Sequence, residues 1–169
     1  MKDRYDICSD IVKYSRRHVV GNEKQFLGTV LSFVSAYAPH AEEFIANCIV
    51  GELSGGKTHL QRTAIKLFPP ESIYQITSTS DKAPIYSDAL RNDERIKIIN
   101  FAEYQKLPKP VLEFLKSLSG DDDIFTYEYT KAATGDTERI YHGKKSYTVT
   151  YAQVDIDPEL ESRVFVITI

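Results

Sequence analysis

The sequence predicts an α/β fold: a three-layer αβα sandwich around a central, mostly parallel five-stranded sheet. Three observations predict it. Short runs of β-forming residues alternate with stretches of helical periodicity, a glycine-rich loop joins the first such run to a helix, and a turn-rich β segment interrupts the alternation late in the chain. The 169 residues suit one domain with its own core, and the 42% hydrophobic and 27% charged fractions are those of an ordinary globular chain. A net charge of −3 argues against a wholly basic nucleic-acid-coating protein while leaving room for a local basic surface. No apolar run approaches the roughly 20 residues that cross a bilayer, and the charged opening Met1-Lys-Asp-Arg-Tyr-Asp6 is unlike a signal peptide. Cys8 and Cys48, with no CxxC spacing, read as free thiols in a reducing compartment. The expectation is therefore a cytoplasmic protein with no membrane partner.

Residues 1–38 read as N-terminal helices packing on a core formed by residues 39–169. Asp3 to about Arg17 carries a loose apolar face of Ile7, Ile11, Val12 and Tyr14, and predicts a helix. Asn22 is placed as N-cap of a second helix over Glu23 to Tyr37, where Phe26, Leu27, Val30, Phe33, Val34 and Tyr37 recur at helical spacing. Pro39 stops it. Phe44 to Val50 is short and rich in β-formers, as a buried parallel strand requires. Leu60, Ala64, Ile65, Leu67 and Phe68 predict a helix that ends at Pro69-Pro70. Ile73 to Thr77 and Ile96 to Phe101 read as strands, with a short helical segment between them at Ala83 to Leu90, and Pro110 to Leu118 reads as a helix.

The pattern then changes. Phe125 to Thr130, the turn-rich Thr134-Gly-Asp-Thr137 and Glu138 to Tyr141 predict an inserted β-hairpin over about 124–142. Ser146 to Ala152 supplies a further strand, Asp157 to Glu161 a short helix with Pro158 at its first position, and Val164 to Ile169 a last strand. The abrupt end on that strand suggests a core cut from a longer protein.

The strongest chemical signal is Gly51-Glu-Leu-Ser-Gly-Gly-Lys-Thr58, between the first strand and its helix. Glycines let backbone N–H groups wrap a polyphosphate without intervening side chains, Lys57 supplies a point charge, and Thr58 Oγ can ligate Mg²⁺. The helix that opens there adds the favourable end of its dipole. The bland alternative is an ordinary turn, but GxxxxGK[ST] arises by chance in about one chain of this length in a few hundred, and the strand and helix flanks reduce that further.

Phosphate-hydrolysing sites of this kind need an acid on a neighbouring strand to hold the metal shell and orient water. Glu103, after Ile98-Ile-Asn-Phe-Ala102, is the candidate, as base, metal-shell acid or both. Ala102 stands where an Asp would make the stronger pair. The alternative is an exposed glutamate at a strand end.

With these positions in hand, the chain resembles the AAA+ class of P-loop ATPases, and within it the helicase-like replication members found beside primases in phages and archaeal elements. Val20-Gly-Asn-Glu23 resembles the segment before that class's first strand, Ile49 to His59 its Walker A phosphate loop, and Lys66-Leu-Phe-Pro69 the end of the following helix. Thr77 to Ala83 and Ile98 to Glu103 follow at similar spacing, and Asp157 to Val164 resembles the segment that carries an arginine finger. The resemblance spans about Val20 to Ile169, and only the phosphate loop is highly specific. It implies ATP and Mg²⁺ as ligands, with Gly51, Ser54, Gly55, Gly56, Lys57, Thr58 and His59 binding the nucleotide and Thr58 and Glu103 holding the metal. Lys57, Glu103, a γ-phosphate sensor at Gln153 (Thr150 being the other candidate) and Arg163 would serve catalysis. Arg163 would act on the nucleotide of a neighbouring subunit, in a homo-oligomeric ring. The bland reading of Arg163 is a helix-end cation. The helical lid domain of such ATPases is expected to be absent.

In replicative members of that class a hairpin at this place contacts DNA. By that likeness Lys131, Arg139, Lys144 and Lys145 become candidate phosphate contacts, and Tyr127 or Tyr129 stacking groups. Against it, Asp121, Asp122, Asp123, Glu128, Asp136 and Glu138 crowd the same segment, and the tyrosines serve equally as cross-strand pairs. The leading expectation is thus an ATP-hydrolysing, DNA-acting motor or switch domain in replication. One alternative is a nucleotide-binding switch or scaffold with little turnover, kept open by Ala102. The other, a small-molecule kinase, is disfavoured because no arginine-rich lid segment is evident.

Overall fold

The computed structural model describes residues 6–38, 44–76, 84–101, 103, 107–119, 124–130, 137–143, 145–152 and 156–169; for 124–130 and 137–143 the backbone alone is described. Helix α1 (Ile7–His18) and α2 (Glu23–Ser35) come first, followed by β1 (Asn47–Val50) and α3 (Lys57–Ile65). A single 3₁₀ turn, Pro70–Ser72, leads into β2 (Ile73–Ile76), α4 (Asp88–Asn92), β3 (Ile98–Phe101) and α5 (Lys109–Leu118). Then come β4 (Ile124–Thr130), β5 (Thr137–Gly143), β6 (Ser146–Tyr151), α6 (Pro158–Glu161) and β7 (Phe165–Thr168).

Five of the strands form one sheet in the order β2-β3-β6-β1-β7, with every pairing parallel. β4 and β5 form a separate antiparallel ribbon in which Ile124 pairs with Gly143 and Thr130 with Thr137. The α/β class, the five strands and the inserted hairpin are those the sequence predicts. The main sheet is wholly parallel.

Helices cover both faces. On one, α1, α2 and α3 enclose a cluster that includes Phe26, Val30, Phe33, Leu60 and Ala64 with Ile49, Ile98 and Ile167 of the sheet. On the other, Leu90 of α4, Phe114 and Leu115 of α5 and Leu160 of α6 pack on Cys48, Val50, Ile99, Phe101, Tyr147 and Val149. Strand alternation explains the division, since successive side chains point to opposite faces. Central strands β1 and β3 are buried at every position, which is why they read as unbroken apolar runs, while edge strands β2 and β7 are only partly covered.

Element ends differ from expectation where backbone hydrogen bonding decides them. β1 begins at Asn47, three residues later than its apolar run, because pairing with Thr148 and Phe165 starts there. α4 starts at Asp88, with Ser87 Oγ accepting from the Leu90 amide, rather than at Ala83, which lies outside the described residues. Asn22 occupies the N-cap position of α2 but its side chain makes no capping bond; Glu23 Oε1 instead accepts from the Gly21 amide. Pro158 does open α6, and Asp157 caps it through the Glu159 and Leu160 amides.

Among the described residues no helix is long and apolar enough to cross a membrane.

Candidate functional site

Because the five strands are parallel, their C-terminal ends share one edge of the sheet, the edge at which open α/β folds place ligands. The glycine loop rises from that edge between β1 and α3. Its first residue continues the sheet: the Gly51 amide donates to Tyr151 O at 3.3 Å, and on the other side the Ile169 amide donates to Val50 O at 2.9 Å. A Cβ on Gly51 would stand 2.6 Å from Ile169 O, so the end of the edge strand leaves room only for glycine there. The chain then turns, with the Gly55 amide donating to Glu52 O at 3.1 Å. Ser54 (φ 65°) and Gly56 (φ 85°) both adopt left-handed conformations, which the first tolerates and the second, having no Cβ, takes at no steric cost. Gly56 is the N-cap of α3, and its carbonyl accepts from the Leu60 amide at 2.9 Å.

Lys57, the first residue of α3, turns its side chain into the loop. It is 8% exposed, and its ammonium donates to Gly51 O at 2.9 Å and to Glu52 O. The cation thus sits at the centre of the turn, where two carbonyl dipoles of the loop face it. Ser54, Gly55, Gly56, Lys57, Thr58 and His59 line a pocket of about 260 Å³. It combines the start of a nine-residue helix, exposed loop backbone and a lysine ammonium, an arrangement suited to an anion of the size of a phosphate chain. Thr58 is half-buried beside it. His59, exposed, also contacts α1: Nε2 lies 2.7 Å from the carbonyl oxygen of His18 at the end of that helix.

Glu103 follows β3 at the same edge, but β6 runs between β3 and β1, so the acid strand is two places from the loop strand. At ~4.8 Å per strand that separates the two backbones by about 10 Å. The expectation of an acid on the adjacent strand is corrected accordingly: β6 is the neighbour of β1. Its C-terminal end carries half-buried Tyr151 and buried Thr150, while Gln153 lies outside the described residues.

Arg163 lies elsewhere. It follows α6 and precedes β7, whose first residue, Phe165, pairs with Asn47 at the start of β1. It therefore sits at the edge opposite the glycine loop, with the four residues of β7, about 13 Å of strand, between the two. Its guanidinium donates to Lys116 O at 3.0 Å and to Glu159 Oε1 at 3.1 Å. Lys116 in turn contacts Glu159 and Asp157 at 3.0 and 3.1 Å. Those carboxylates raise the Lys116 pKa, Glu159 most and then Asp157, while the Lys116 hydrogen bond is the main cause that lowers Asp157.

The ribbon β4–β5 enters and leaves next to the start of β6, also at the edge away from the loop. Lys131 and Lys144 lie outside the described residues, as does the side chain of Arg139. Lys145 is placed plainly: it is 7% exposed, with its ammonium donating to Ile96 O at 2.9 Å and Asp93 O at 3.4 Å. Burial is the main cause that lowers its pKa. A lysine so enclosed is an internal tie between β6 and the segment before β3, which does not match its sequence reading as a phosphate contact.

The structure adds residues that the sequence reading passed over. Gln61, 1% exposed on α3, donates through Nε2 to Phe101 O at 3.1 Å and to Thr148 Oγ1 at 3.3 Å. Thr148 Oγ1 donates to Asn47 Oδ1 at 2.7 Å, and Asn47 Nδ2 to Ser32 Oγ at 2.5 Å. A buried polar chain therefore runs from the end of β3 through α3, β6 and β1 to α2. Gln61 was detectable as a polar residue one turn after Lys57, between the apolar Leu60 and Ala64. Its partners were not, because they come from strands 40 and 87 residues away. No protein-family model matches the chain, and no curated protein matches it.

Proposed function

We propose that this chain is a P-loop ATPase domain of AAA+ type that binds and hydrolyses ATP at the Gly51–His59 loop and acts on DNA as part of a ring. The observation that carries it is the loop itself: a glycine turn between a buried parallel strand and a helix N-terminus, with the Lys57 ammonium at its centre. In this reading the loop amides and Lys57 take the β- and γ-phosphates in place of the carbonyls Lys57 now faces, and the helix dipole favours the same charge.

The donor set suits Mg²⁺, a hard cation that prefers oxygen and keeps several waters. Thr58 Oγ and the Glu103 carboxylate would be its protein ligands, and the ~10 Å between β1 and β3 leaves room for water and phosphate oxygens. Bound there, Mg²⁺ would neutralise charge on the phosphates. Glu103 would orient the attacking water and accept its proton. Arg163 cannot reach the loop of its own chain from the opposite sheet edge, so on this reading it serves the loop of a second copy. That supports a site completed between subunits. DNA as the partner follows from the resemblance, through the hairpin between α5 and β6.

A second reading, a nucleotide-binding switch with little turnover, is favoured by one feature: Ala102 stands in place of a second acid, leaving Glu103 as the lone carboxylate in that segment.

The deciding measurement is Mg²⁺-dependent ATP hydrolysis against protein concentration for wild type, Lys57→Ala and Arg163→Ala, with and without single-stranded DNA. Turnover that rises with concentration, is lost in both variants and is stimulated by DNA supports the ATPase. Binding that Lys57→Ala abolishes, with no turnover above a Glu103→Gln background in single-turnover assays, supports the switch.

A further inference from the structure

Gln61 joins the helix of the glycine loop to the end of β3 by a hydrogen bond, beside the apolar packing of Leu60 and Ala64 with Ile98. It sits four residues after Lys57, on the same side of α3, so any shift of the first turn is felt at its Cα. Its side chain is buried, and Nε2 donates two hydrogen bonds to the sheet. One goes to the carbonyl of Phe101, the last residue of β3 and two residues before Glu103; the other goes to Thr148 in the intervening strand. Thr148 is itself held by Asn47 of β1, the strand that leads into the loop. The loop strand, the loop helix and the acid strand are thus tied through one amide. A buried donor with two defined acceptors has little freedom to rotate, because leaving either acceptor costs a hydrogen bond that water cannot replace.

We propose that Gln61 is a positioning residue that fixes Glu103 relative to the phosphates by tying α3 to the end of β3, so that filling the loop sets the acid strand for hydrolysis. This rests on the ATPase reading of the same site. It also bears on the two-strand separation found there: β6 lies between β3 and β1, and the Gln61 bridge adds a direct tie from the loop helix to the end of β3. A misplacement of about 1 Å at the reacting centre is enough to cost on the order of 100-fold in rate.

The test uses the full chain and two replacements of nearly the same length. Gln61→Met fills the space but removes both donors. ATP affinity is read by fluorescence titration with a labelled nucleotide, and turnover separately at saturating ATP. The expected result is affinity within about 2-fold of wild type and kcat reduced about 10-fold or more. Gln61→Glu keeps the shape and donates only when its carboxyl is protonated. Its turnover relative to wild type is therefore expected to recover as the pH is lowered from 8 to 6, a signature that a purely space-filling role would not give. It also keeps the proposal open to refutation should the methionine variant not fold. Wild-type turnover with an unchanged kcat in Gln61→Met, or affinity and kcat falling together with thermal stability, overturns the inference while leaving the ATPase reading in place. A flat relative pH profile in Gln61→Glu likewise overturns it. Absence of turnover in wild type removes the ATPase reading and the inference with it.

Discussion

His59 Nε2 lies 2.7 Å from the carbonyl oxygen of His18, joining the first turn of α3 to the last residue of α1. The end of a helix leaves carbonyls without intrahelical partners, and here the helix of the glycine loop satisfies one of them. The N-terminal helices are therefore fastened to the candidate site, as well as to the flank of the sheet. His59→Ala should lower stability by about 0.5–1.5 kcal/mol in urea denaturation. It should weaken nucleotide binding by no more than about 3-fold if the ring, tied to His18 O, serves to anchor α1 and does not contact the ligand. A larger loss of affinity with unchanged stability would place His59 against the ligand itself.

Loop backbone geometry makes separate predictions at three residues. Gly56→Ala forces a Cβ into φ 85° and should cost about 1–2 kcal/mol, with weaker nucleotide binding because the N-cap of α3 is displaced. Gly51→Ala sets a methyl 2.6 Å from Ile169 O and should cost about 1–3 kcal/mol by pushing the end of β7 aside. Ser54→Gly, at φ 65°, should remain within about 0.5 kcal/mol of wild type. Thermal melts of the three variants, run side by side, check the order.

Arg163 is held at the sheet edge by an exposed pair with Glu159 and a bond to Lys116 O. Exposed pairs contribute at most about 1 kcal/mol, so Arg163→Ala should fold normally. If the residue stabilises transition-state charge in a neighbouring subunit, turnover should drop about 1,000-fold with ATP affinity retained. Mixing Arg163→Ala with Lys57→Ala should then restore part of the activity, since each variant supplies what the other lacks. Additive loss in the mixture would rule out a shared site.

The Lys116 cluster gives a pH dependence of defined sign. Asp157 titrates below its ordinary 3.8, so its contribution is full above that pH and is lost as the pH falls through the folded value. Lys116 titrates above its ordinary 10.5, so its contribution is full below that pH and is lost as the pH rises through the folded value. The difference in urea midpoint between wild type and Lys116→Met should be constant between these limits and should shrink below pH 3.8.

Burial pushes the Cys48 thiol up to about 12, whereas Cys8 is only half-buried on α1. At pH 8 the Cys48 thiolate would amount to about one part in 10⁴. Native protein should titrate one thiol with a disulfide reagent, and the second should react only on unfolding. Rapid labelling of both in the native state would contradict the full burial of Cys48 in the core.

Ile7 of the expected α1 face and Val34 and Tyr37 of the expected α2 face are exposed, whereas the alternation of strands and helices, the glycine loop, the hairpin and part of the α2 apolar face were legible in the sequence. These are local matters of periodicity and turn chemistry, as Phe26, Val30 and Phe33 show on α2 and Gly51 to Thr58 in the loop. Tertiary structure alone decided the strand order. Parallel strands pair across long stretches of chain, so nothing near Glu103 reveals that β6 separates it from the loop strand, and nothing near Arg163 shows which sheet edge it occupies. It also decided the burial of Lys145, whose charge suggests solvent but whose place beneath Asp93 and Ile96 carbonyls encloses it. The bridge from Gln61 to Phe101 has the same origin: two residues 40 apart meet only because α3 crosses the face of β3 and β6. Packing, which is set by the whole core at once, brought them together.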